Sequence, residues 1–220
     1  MSYTGTVAEG GPSDVRELRG LMIRKASVGP TDNNCYLLTC TNTGEQMLID
    51  AANDADRLQR LAAEGTGEIS TILTTHRHPD HVRALKEMAR RTGATTLAGR
   101  YDADALPVEP AVRLEHGDEV TLGDLTFGVI HLRGHTPGAV ALTWTEPDGD
   151  AHLFVGDSLF PGGVGNTFGN EEHFRQLIDD VEERLFGQFG DAAWVYPGHG
   201  LDTTLGAERP HLGEWRARGW

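Results

Sequence analysis

The chain has 220 residues and a formal net charge of −14, from 33 acidic against 19 basic side chains. This length predicts one domain with a sizeable core, and the acidic balance argues against nucleic-acid or anionic-membrane partners, because phosphate binding needs a basic face. The longest apolar runs are too short to span a bilayer. The polar N-terminus lacks the features of a secretory signal, so we expect a cytoplasmic protein.

The first half of the chain alternates between predicted strands and helices. Residues 1–18 show no hydrophobic periodicity and contain a Gly-Gly-Pro breaker, so we expect a flexible tail followed by a single domain over residues 19–220. One helix is predicted to begin at Asn53 or Asp54, and a second to end at Gly93. Strands are predicted at 21–23, 35–38, 47–49, 69–73 and 95–97.

The second half is richer in strands. A glycine-rich loop at 161–169 leads to a helix that begins at Asn170, followed by a last strand and a short C-terminal tail. Because both halves combine strands with helices, we predict an α/β fold of two sheets packed face to face with helices outside. The predicted strands are 120–122, 125–132, 139–144, 152–155 and 193–196.

The two cysteines fall on one predicted strand. Cys35 and Cys40 are five positions apart, which places them on opposite faces of the strand. A disulfide within one straight strand has poor geometry, and the chain has no C-x-x-C redox motif. We therefore expect two buried, unpaired thiols.

The most informative stretch is residues 74–81, Thr-Thr-His-Arg-His-Pro-Asp-His. An apolar strand pattern precedes it, and apolar residues at helical spacing follow it, so the stretch is predicted to form a turn between strand and helix. Imidazole and carboxylate side chains close together are typical ligands of zinc, iron and manganese. The alternative is a polar surface turn that is rich in histidine.

Three further candidate ligands stand beside glycines at the ends of predicted strands, at positions 135, 157 and 199. Side chains at strand ends are well placed to converge on one cleft, and a neighbouring glycine allows close backbone approach. Seven ligands are too many for one tetrahedral ion, but they suit two ions that share a bridging carboxylate. The candidates are His76, His78, Asp80, His81, His135, Asp157 and His199.

The order H-x-H-x-D-H, then His, Asp and His, over about residues 20–205, resembles the metallo-β-lactamase superfamily and its glyoxalase II-like branch. The resemblance implies a four-layer αββα sandwich. An aspartate at position 157 differs from the best-known lactamases, which have cysteine there. The implied roles are the first metal ion for His76, His78 and His135, the second for Asp80, His81 and His199, and the bridge for Asp157.

The resemblance implies a hydrolase with two divalent ions, with zinc expected and iron or manganese as alternatives. Such a pair acidifies a bridging water, and the resulting hydroxide would attack a carbonyl carbon. A thiolate leaving group suits zinc, so a small-molecule thioester is the expected substrate, and the resemblance implies an enzyme of the glyoxalase II type, similar to hydroxyacylglutathione hydrolases. Asp80 and Asp157 are the expected catalytic residues, with Asp80 also holding the water by a hydrogen bond.

The sequence departs from glutathione-specific relatives in three places. Val82 and Arg83 follow the motif where relatives are glycine-rich, and Asn166 stands where a G-x-G-[RK] loop usually has a basic residue. The long C-terminal helical region that supplies thiol-binding residues in larger relatives is missing. These differences argue against a glutathione conjugate as the substrate.

Three other functions fit the same ligands less well. A persulfide dioxygenase of this superfamily would hold one iron with His76, His135 and Asp157, an open facial triad. A nuclease or phosphodiesterase is disfavoured by the acidic charge and the short chain. A catalytically silent binding module is disfavoured because it would have little use for seven convergent ligands.

Several other side chains are weaker candidates for the cleft. His173 begins the helix after the glycine-rich loop and is within reach of the cleft in principle. Arg209, Trp215 and Trp220 lie on the C-terminal tail and are candidates to close the cleft, with a solvated tail as the alternative.

Overall fold

Two β-sheets form the centre of the protein, in a computed structural model that describes residues 3–147 and 149–219. The first sheet has the strand order β1-β2-β3-β4-β5-β6-β7, with antiparallel pairs from β1 to β4 and parallel pairs from β4 to β7. Its strands are β1 (Asp14–Glu17), β2 (Leu21–Val28), β3 (Asn33–Cys40), β4 (Gln46–Ile49), β5 (Thr71–Thr74), β6 (Thr95–Gly99) and β7 (Val112–Leu114).

The second sheet has the strand order β15-β14-β11-β10-β9-β8. Its pairs are antiparallel except for β11 with β14, which are parallel. A separate short hairpin joins β12 (Leu159–Phe160) and β13 (Gly163–Val164). The strands of the second sheet are β8 (Glu119–Leu122), β9 (Leu125–His131), β10 (Val140–Thr145), β11 (Ala151–Gly156), β14 (Trp194–Pro197) and β15 (Thr203–Thr204).

Two helices begin where the sequence predicts. The Asp54 side chain accepts from the amide of Arg57, and the Asn170 side chain accepts from the amides of Glu172 and His173. A π-helical turn, Glu182–Phe186, extends the fourth helix. The helices are α1 (Ala55–Ala63), α2 (Pro79–Val82), α3 (Leu85–Thr92), α4 (Glu171–Val181), α5 (Leu205–Glu208) and α6 (Leu212–Arg218), with 3₁₀ turns at Ala103–Ala105 and Arg209–His211.

Three apolar clusters separate four layers. Alternate residues of β3 face different clusters: Tyr36 and Leu38 pack between the two sheets, whereas Cys35 and Leu37 pack under α1 and α3. The third cluster lies between the second sheet and α4 with α6. The predicted αββα sandwich is therefore confirmed. The two cysteines are buried and unpaired on opposite faces of β3, as expected, because Cys40 belongs to the cluster between the sheets.

The N-terminal segment differs from the flexible tail predicted for residues 1–18. Strand β1 pairs along β2, with Asp14 opposite Lys25, and the Tyr3 hydroxyl donates to the Asp202 carboxylate at 2.6 Å. The prediction is therefore wrong over Asp14–Glu17, while residues 1 and 2 lie outside the described part of the chain. A four-residue edge strand with polar side chains leaves no periodicity for sequence analysis to detect.

The C-terminal segment packs against the body of the protein instead of closing the cleft. Trp215 is buried in the cluster beneath α4, with its ring 6.5 Å from that of Phe186. The Arg209 guanidinium donates to Asp191 at 2.5 Å and to the carbonyl oxygen of Phe186 at 2.8 Å. The predicted roles of Arg209 and Trp215 in the cleft are wrong, and Trp220 lies outside the described residues.

None of the helices described is both long enough and apolar enough to cross a bilayer.

Candidate metal centre

The predicted ligands all follow the C-terminal ends of strands, at one edge of the sandwich. Strands β9, β11 and β14 run in the same direction, and the loops after them hold His135, Asp157 and His199. The loop after β5 holds His76 and His78, and the short helix α2 that follows holds Asp80 and His81. The amide of Val140 donates to the carbonyl oxygen of Thr75 at 2.9 Å and so joins the two sheets at this edge.

Three imidazoles form the first group. The Nδ1 atom of His78 lies 2.9 Å from Nε2 of His135, and the latter lies 3.3 Å from Nε2 of His76. The three nitrogen atoms fall within 4.8 Å of one another. The structure therefore brings together the three residues predicted to bind the first ion; we call them the His76 trio.

Two imidazoles and a carboxylate form the second group, which we call the His81 trio. Nε2 of His199 lies 3.2 Å from Nε2 of His81 and 3.3 Å from Oδ2 of Asp80. Oδ2 of Asp80 lies 3.7 Å from Nε2 of His81. These are the three residues predicted to bind the second ion.

Asp157 lies between the two trios. Its Oδ1 is 3.4 Å from Nε2 of His81, and its Oδ2 is 3.5 Å from Nε2 of His135 and 3.5 Å from Nε2 of His199. Gly198 lets the carboxylate come this close, because a Cβ atom there would stand 2.1 Å from Oδ1. Asp157 therefore has the position that a bridging ligand requires.

Oxygen atoms fix the orientation of four of the imidazoles. Each contacts the ring nitrogen that faces away from the centre, which favours the tautomer whose Nε2 lone pair points inward. This arrangement is typical of histidines that bind metal. The four contacts are His76 Nδ1 with Thr75 Oγ1 at 3.1 Å, His81 Nδ1 with Asp50 Oδ2 at 2.8 Å, His135 Nδ1 with the Asn166 carbonyl oxygen at 2.8 Å, and His199 Nδ1 with the Thr31 carbonyl oxygen at 2.8 Å.

Sequence analysis missed two residues that support the His81 trio. The Asp50 carboxylate, besides contacting His81, accepts from the amide and the hydroxyl of Thr75, each at 2.7 Å. The side-chain amide of Asn33 donates to Asp80 Oδ2 at 3.0 Å and lies 3.3 Å from Nε2 of His199. Asp50 follows an apolar strand pattern, as the ligands do, so the sequence contained a signal for this residue. Asn33 offered no such signal.

Asp102, also missed, connects the loops of two ligands. Its buried carboxylate accepts from the amide of Arg77 at 3.0 Å, from the hydroxyl of Thr136 at 2.6 Å and from the amide of Gly138 at 2.9 Å. It therefore holds the loop after β5 against the loop after β9. His173 does not join the site: its side chain is exposed on the first turn of α4.

Burial and charge prepare these groups to bind cations. Burial lowers the pKa of His76 and of His135, which keeps their imidazoles neutral. Burial acts in the same direction on His81, but the carboxylates of Asp50 and Asp157 outweigh it and raise the pKa of His81 to about 10. The site thus combines neutral imidazoles at His76 and His135 with carboxylates that favour positive charge at His81.

The residues fit a pair of divalent cations. Oδ1 of Asp157 is buried and has no hydrogen-bond donor within the described chain, which is costly for a carboxylate unless a cation neutralises it. Nitrogen and oxygen ligands in two sets of three, with one carboxylate shared, are the donor set of a dinuclear zinc or iron centre.

The sequence as a whole matches a known family. A sequence model of the metallo-beta-lactamase superfamily matches residues 28–206. The chain belongs to this superfamily. The resemblance inferred from the seven ligands is therefore confirmed, and membership agrees with the four-layer fold and with the metal-binding geometry.

Similar proteins have different names, and one of them was solved with iron bound. Hydroxyacylglutathione hydrolase of Fuscovulum blasticum is 38% identical over 138 residues, which are 62% of this chain and 52% of that protein. The chain therefore spans about half the length of this relative. The crystal structure of ETHE1 from Myxococcus xanthus superposes with a TM-score of 0.77 and 29% identity, covering 89% of this chain and 84% of that one. TTHA1623 in a di-iron-bound form has a TM-score of 0.68 and 30% identity, covering 84% and 96%.

Proposed function

We propose that the protein is a dinuclear metallohydrolase, with zinc as its metal, that hydrolyses small-molecule thioesters. The observation that carries this proposal is the Asp157 carboxylate, whose two oxygens lie 3.4–3.5 Å from nitrogen atoms of both trios. The similarity to hydroxyacylglutathione hydrolase over 62% of the chain supports thioester chemistry. The proposed metal ligands are His76, His78 and His135 for one ion, Asp80, His81 and His199 for the other, and Asp157 for both.

A pair of divalent ions in such a site, when bound, acidifies water and polarises a carbonyl group. The two catalytic carboxylates differ in their access to solvent: the side chain of Asp80 is 25% exposed, whereas that of Asp157 is 12% exposed. Asp80 is also held by the amide of Asn33. Asp80 can therefore accept a hydrogen bond from the attacking water and orient it, while Asp157 fixes the spacing of the two trios.

The test measures metal content and thiol release on the same preparation. Protein purified without added metal is expected to contain about two zinc ions per chain by elemental mass spectrometry. It should release thiol from at least one member of a thioester panel, lose that activity with a chelator, and regain it with zinc. Two bound ions without thiol release from any thioester would contradict the thioester assignment.

An iron-dependent dioxygenase acting on persulfides is the alternative. The similarity to TTHA1623, solved in a di-iron-bound form, supports iron as a metal of this site. Within the chain, Nε2 of His135 lies 3.3 Å from Nε2 of His76 and 3.5 Å from Oδ2 of Asp157, so these three side chains suit one ion with open positions. About one iron per chain, with oxygen uptake on adding a persulfide, would favour this alternative.

A further inference from the structure

Exposed apolar side chains lie beside the metal centre. Among the described residues, four large hydrophobic side chains are exposed; one of them contacts proposed ligands, and another follows a proposed ligand closely in the chain. Phe168 is 71% exposed and Leu201, two positions after His199, is 57% exposed. In a chain of net charge −14, exposed apolar groups at the opening of a site suggest contact with a ligand.

Phe168 covers part of the His76 trio. Its ring centroid lies 5.7 Å from that of His78, with the rings nearly perpendicular at 89°. It lies 6.2 Å from the ring of His135, at an interplanar angle of 30°. Because the side chain is 71% exposed, most of this aromatic surface is open to solvent beside the two imidazoles.

The backbone holds Phe168 in this position at some cost. Its φ angle is +56°, a conformation that bulky residues rarely adopt. The Asn166 side chain accepts from the amide of Phe168 at 2.7 Å, while the Asn166 carbonyl oxygen accepts from Nδ1 of His135 at 2.8 Å. One residue therefore orients a ligand and also the exposed ring, and backbone strain of this kind is typically retained at functional sites.

The same loop, residues 161–169, contains no lysine or arginine; the Arg218 guanidinium reaches it from α6 and donates to the carbonyl oxygen of Gly162 at 2.9 Å. Asn166 occupies the position at which glutathione-specific relatives usually have a basic residue. Arg77 is the basic residue within the ligand motif, but its Nε lies 3.6 Å from the buried carboxylate of Asp102. Both lysines are elsewhere: Lys25 is fully buried, and Lys86 is on α3.

We propose that Phe168 and Leu201 bind an apolar substituent of the substrate, so that the enzyme prefers thioesters with apolar groups to anionic glutathione conjugates. This inference rests on the proposed thioester hydrolase function. An apolar acyl chain and an apolar thiol would make the same kind of contact, because Phe168 lies by the His76 trio and Leu201 follows His199, a member of the His81 trio, by two positions in the chain.

The experiment uses the metal-loaded enzyme and two substrate series. The first varies the acyl group from acetyl to hexanoyl and phenylacetyl on N-acetylcysteamine, and the second varies the thiol, including glutathione, on one acetyl group. We expect kcat/KM to rise by about tenfold or more with apolar length in one series, as one apolar contact typically gives. The series that responds identifies the substituent that Phe168 and Leu201 contact.

Variants then test whether these side chains cause the preference. In Phe168→Ala, and to a smaller extent in Leu201→Ala, the hexanoyl-to-acetyl ratio of kcat/KM, or the matching thiol ratio, should fall about tenfold, mainly through KM. Phe168→Leu should retain much of the wild-type preference for the apolar substituent. Val112→Ala removes an exposed apolar side chain from the edge strand β7 and is the matched control, with an unchanged ratio.

The outcomes separate the two proposals. Thiol release that is as fast from the glutathione thioester as from apolar thioesters, with no dependence on chain length, would overturn the apolar site and leave the hydrolase function standing. A preference that Phe168→Ala does not change would also overturn it. The absence of thiol release from every thioester would contradict the hydrolase function itself, and the inference with it.

Discussion

The ammonium group of Lys25 lies 2.7 Å from the carboxylate of Asp202, and both side chains are at most 2% exposed. The same ammonium donates to the carbonyl oxygens of Gly5 and Gly200, each at 2.7 Å. Burial lowers the pKa of Lys25, although the attraction of Asp202 opposes this effect. Because Gly200 follows His199 directly, this buried pair joins the N-terminal segment to the loop that holds a proposed metal ligand.

Lys25→Met should therefore destabilise the protein severely. Removing one partner leaves the Asp202 carboxylate buried without a counter-charge, which typically costs about 3–5 kcal/mol. Urea denaturation of the variant and of the wild type measures this difference in the free energy of unfolding. Lys86, the other lysine of the chain, is exposed on α3, and Lys86→Met is the matched control, with a change within about 0.5 kcal/mol. A Lys25→Met variant as stable as this control would show that the pair is not structurally important.

The proposed ligands were predictable from the sequence because their chemistry is local. His76, His78 and His81 fall within six positions, and glycines mark the strand ends before His135 and beside His199. Few structures other than a metal site place such residue types in that order, so the pattern also pointed to the correct fold. The caps at Asp54 and Asn170 were predictable for a similar reason, since a cap depends on the next three residues alone.

Other parts of the structure were not predictable, because the residues that they contact are far away in the sequence. Asn33 contacts His199, 166 positions later, and nothing near Asn33 indicates this contact. Strand β1 is short and polar, and it is defined by its pairing with β2. Trp215 lies on a seven-residue helix, too short for a clear periodic pattern, and its burial depends on α4 and the π-helical turn.

Asp157→Ala should reduce the metal content from about two ions per chain to one or fewer. The carboxylate lies within 3.5 Å of nitrogen atoms from both trios, so its loss removes a ligand from each proposed ion. Elemental mass spectrometry of the purified variant measures this. Asp150→Ala, at an exposed turn, is the control and should keep the wild-type metal content. Retention of two ions by Asp157→Ala would contradict its role as the bridge.

Asp50→Asn should weaken the binding of metal by the His81 trio. The carboxylate accepts from Nδ1 of His81 at 2.8 Å. The asparagine side chain has a single acceptor oxygen, so it cannot accept this hydrogen bond together with those from the amide and the hydroxyl of Thr75. Loss of such a supporting partner typically costs about 10–100-fold in metal affinity. Competition with a chromophoric chelator measures the affinity of each ion. Asp56→Asn, exposed on α1, should bind zinc as the wild type does. Equal affinities in the two variants would exclude a supporting role for Asp50.

Asp180→Asn should lower stability in a way that depends on pH. The Asp180 carboxylate is buried and accepts from the amide and Nε of Arg133, at 2.9 and 2.8 Å. Burial alone would raise the pKa of Asp180, but the hydrogen bonds from Arg133 outweigh it and hold the pKa below its ordinary 3.8. The contribution of the pair is therefore fully present above about pH 5 and is lost as the pH falls through the folded-state pKa.

At pH 7 the Asp180→Asn variant should lose about 1–2 kcal/mol of unfolding free energy, a moderate value because the Arg133 side chain is 45% exposed. Near pH 3 the difference from the wild type should shrink, because the Asp180 carboxyl of the unfolded wild type, with its ordinary pKa of 3.8, is mostly protonated there, whereas the variant has no group to titrate. Urea denaturation at both pH values measures this change. The neighbouring Asp179→Asn is the control: that carboxylate is 61% exposed and pairs with Arg216, so its loss should cost under about 0.5 kcal/mol. A loss in Asp180→Asn that is the same at both pH values would mean that shape, and not charge, is what Asp180 contributes to the loop that holds His135.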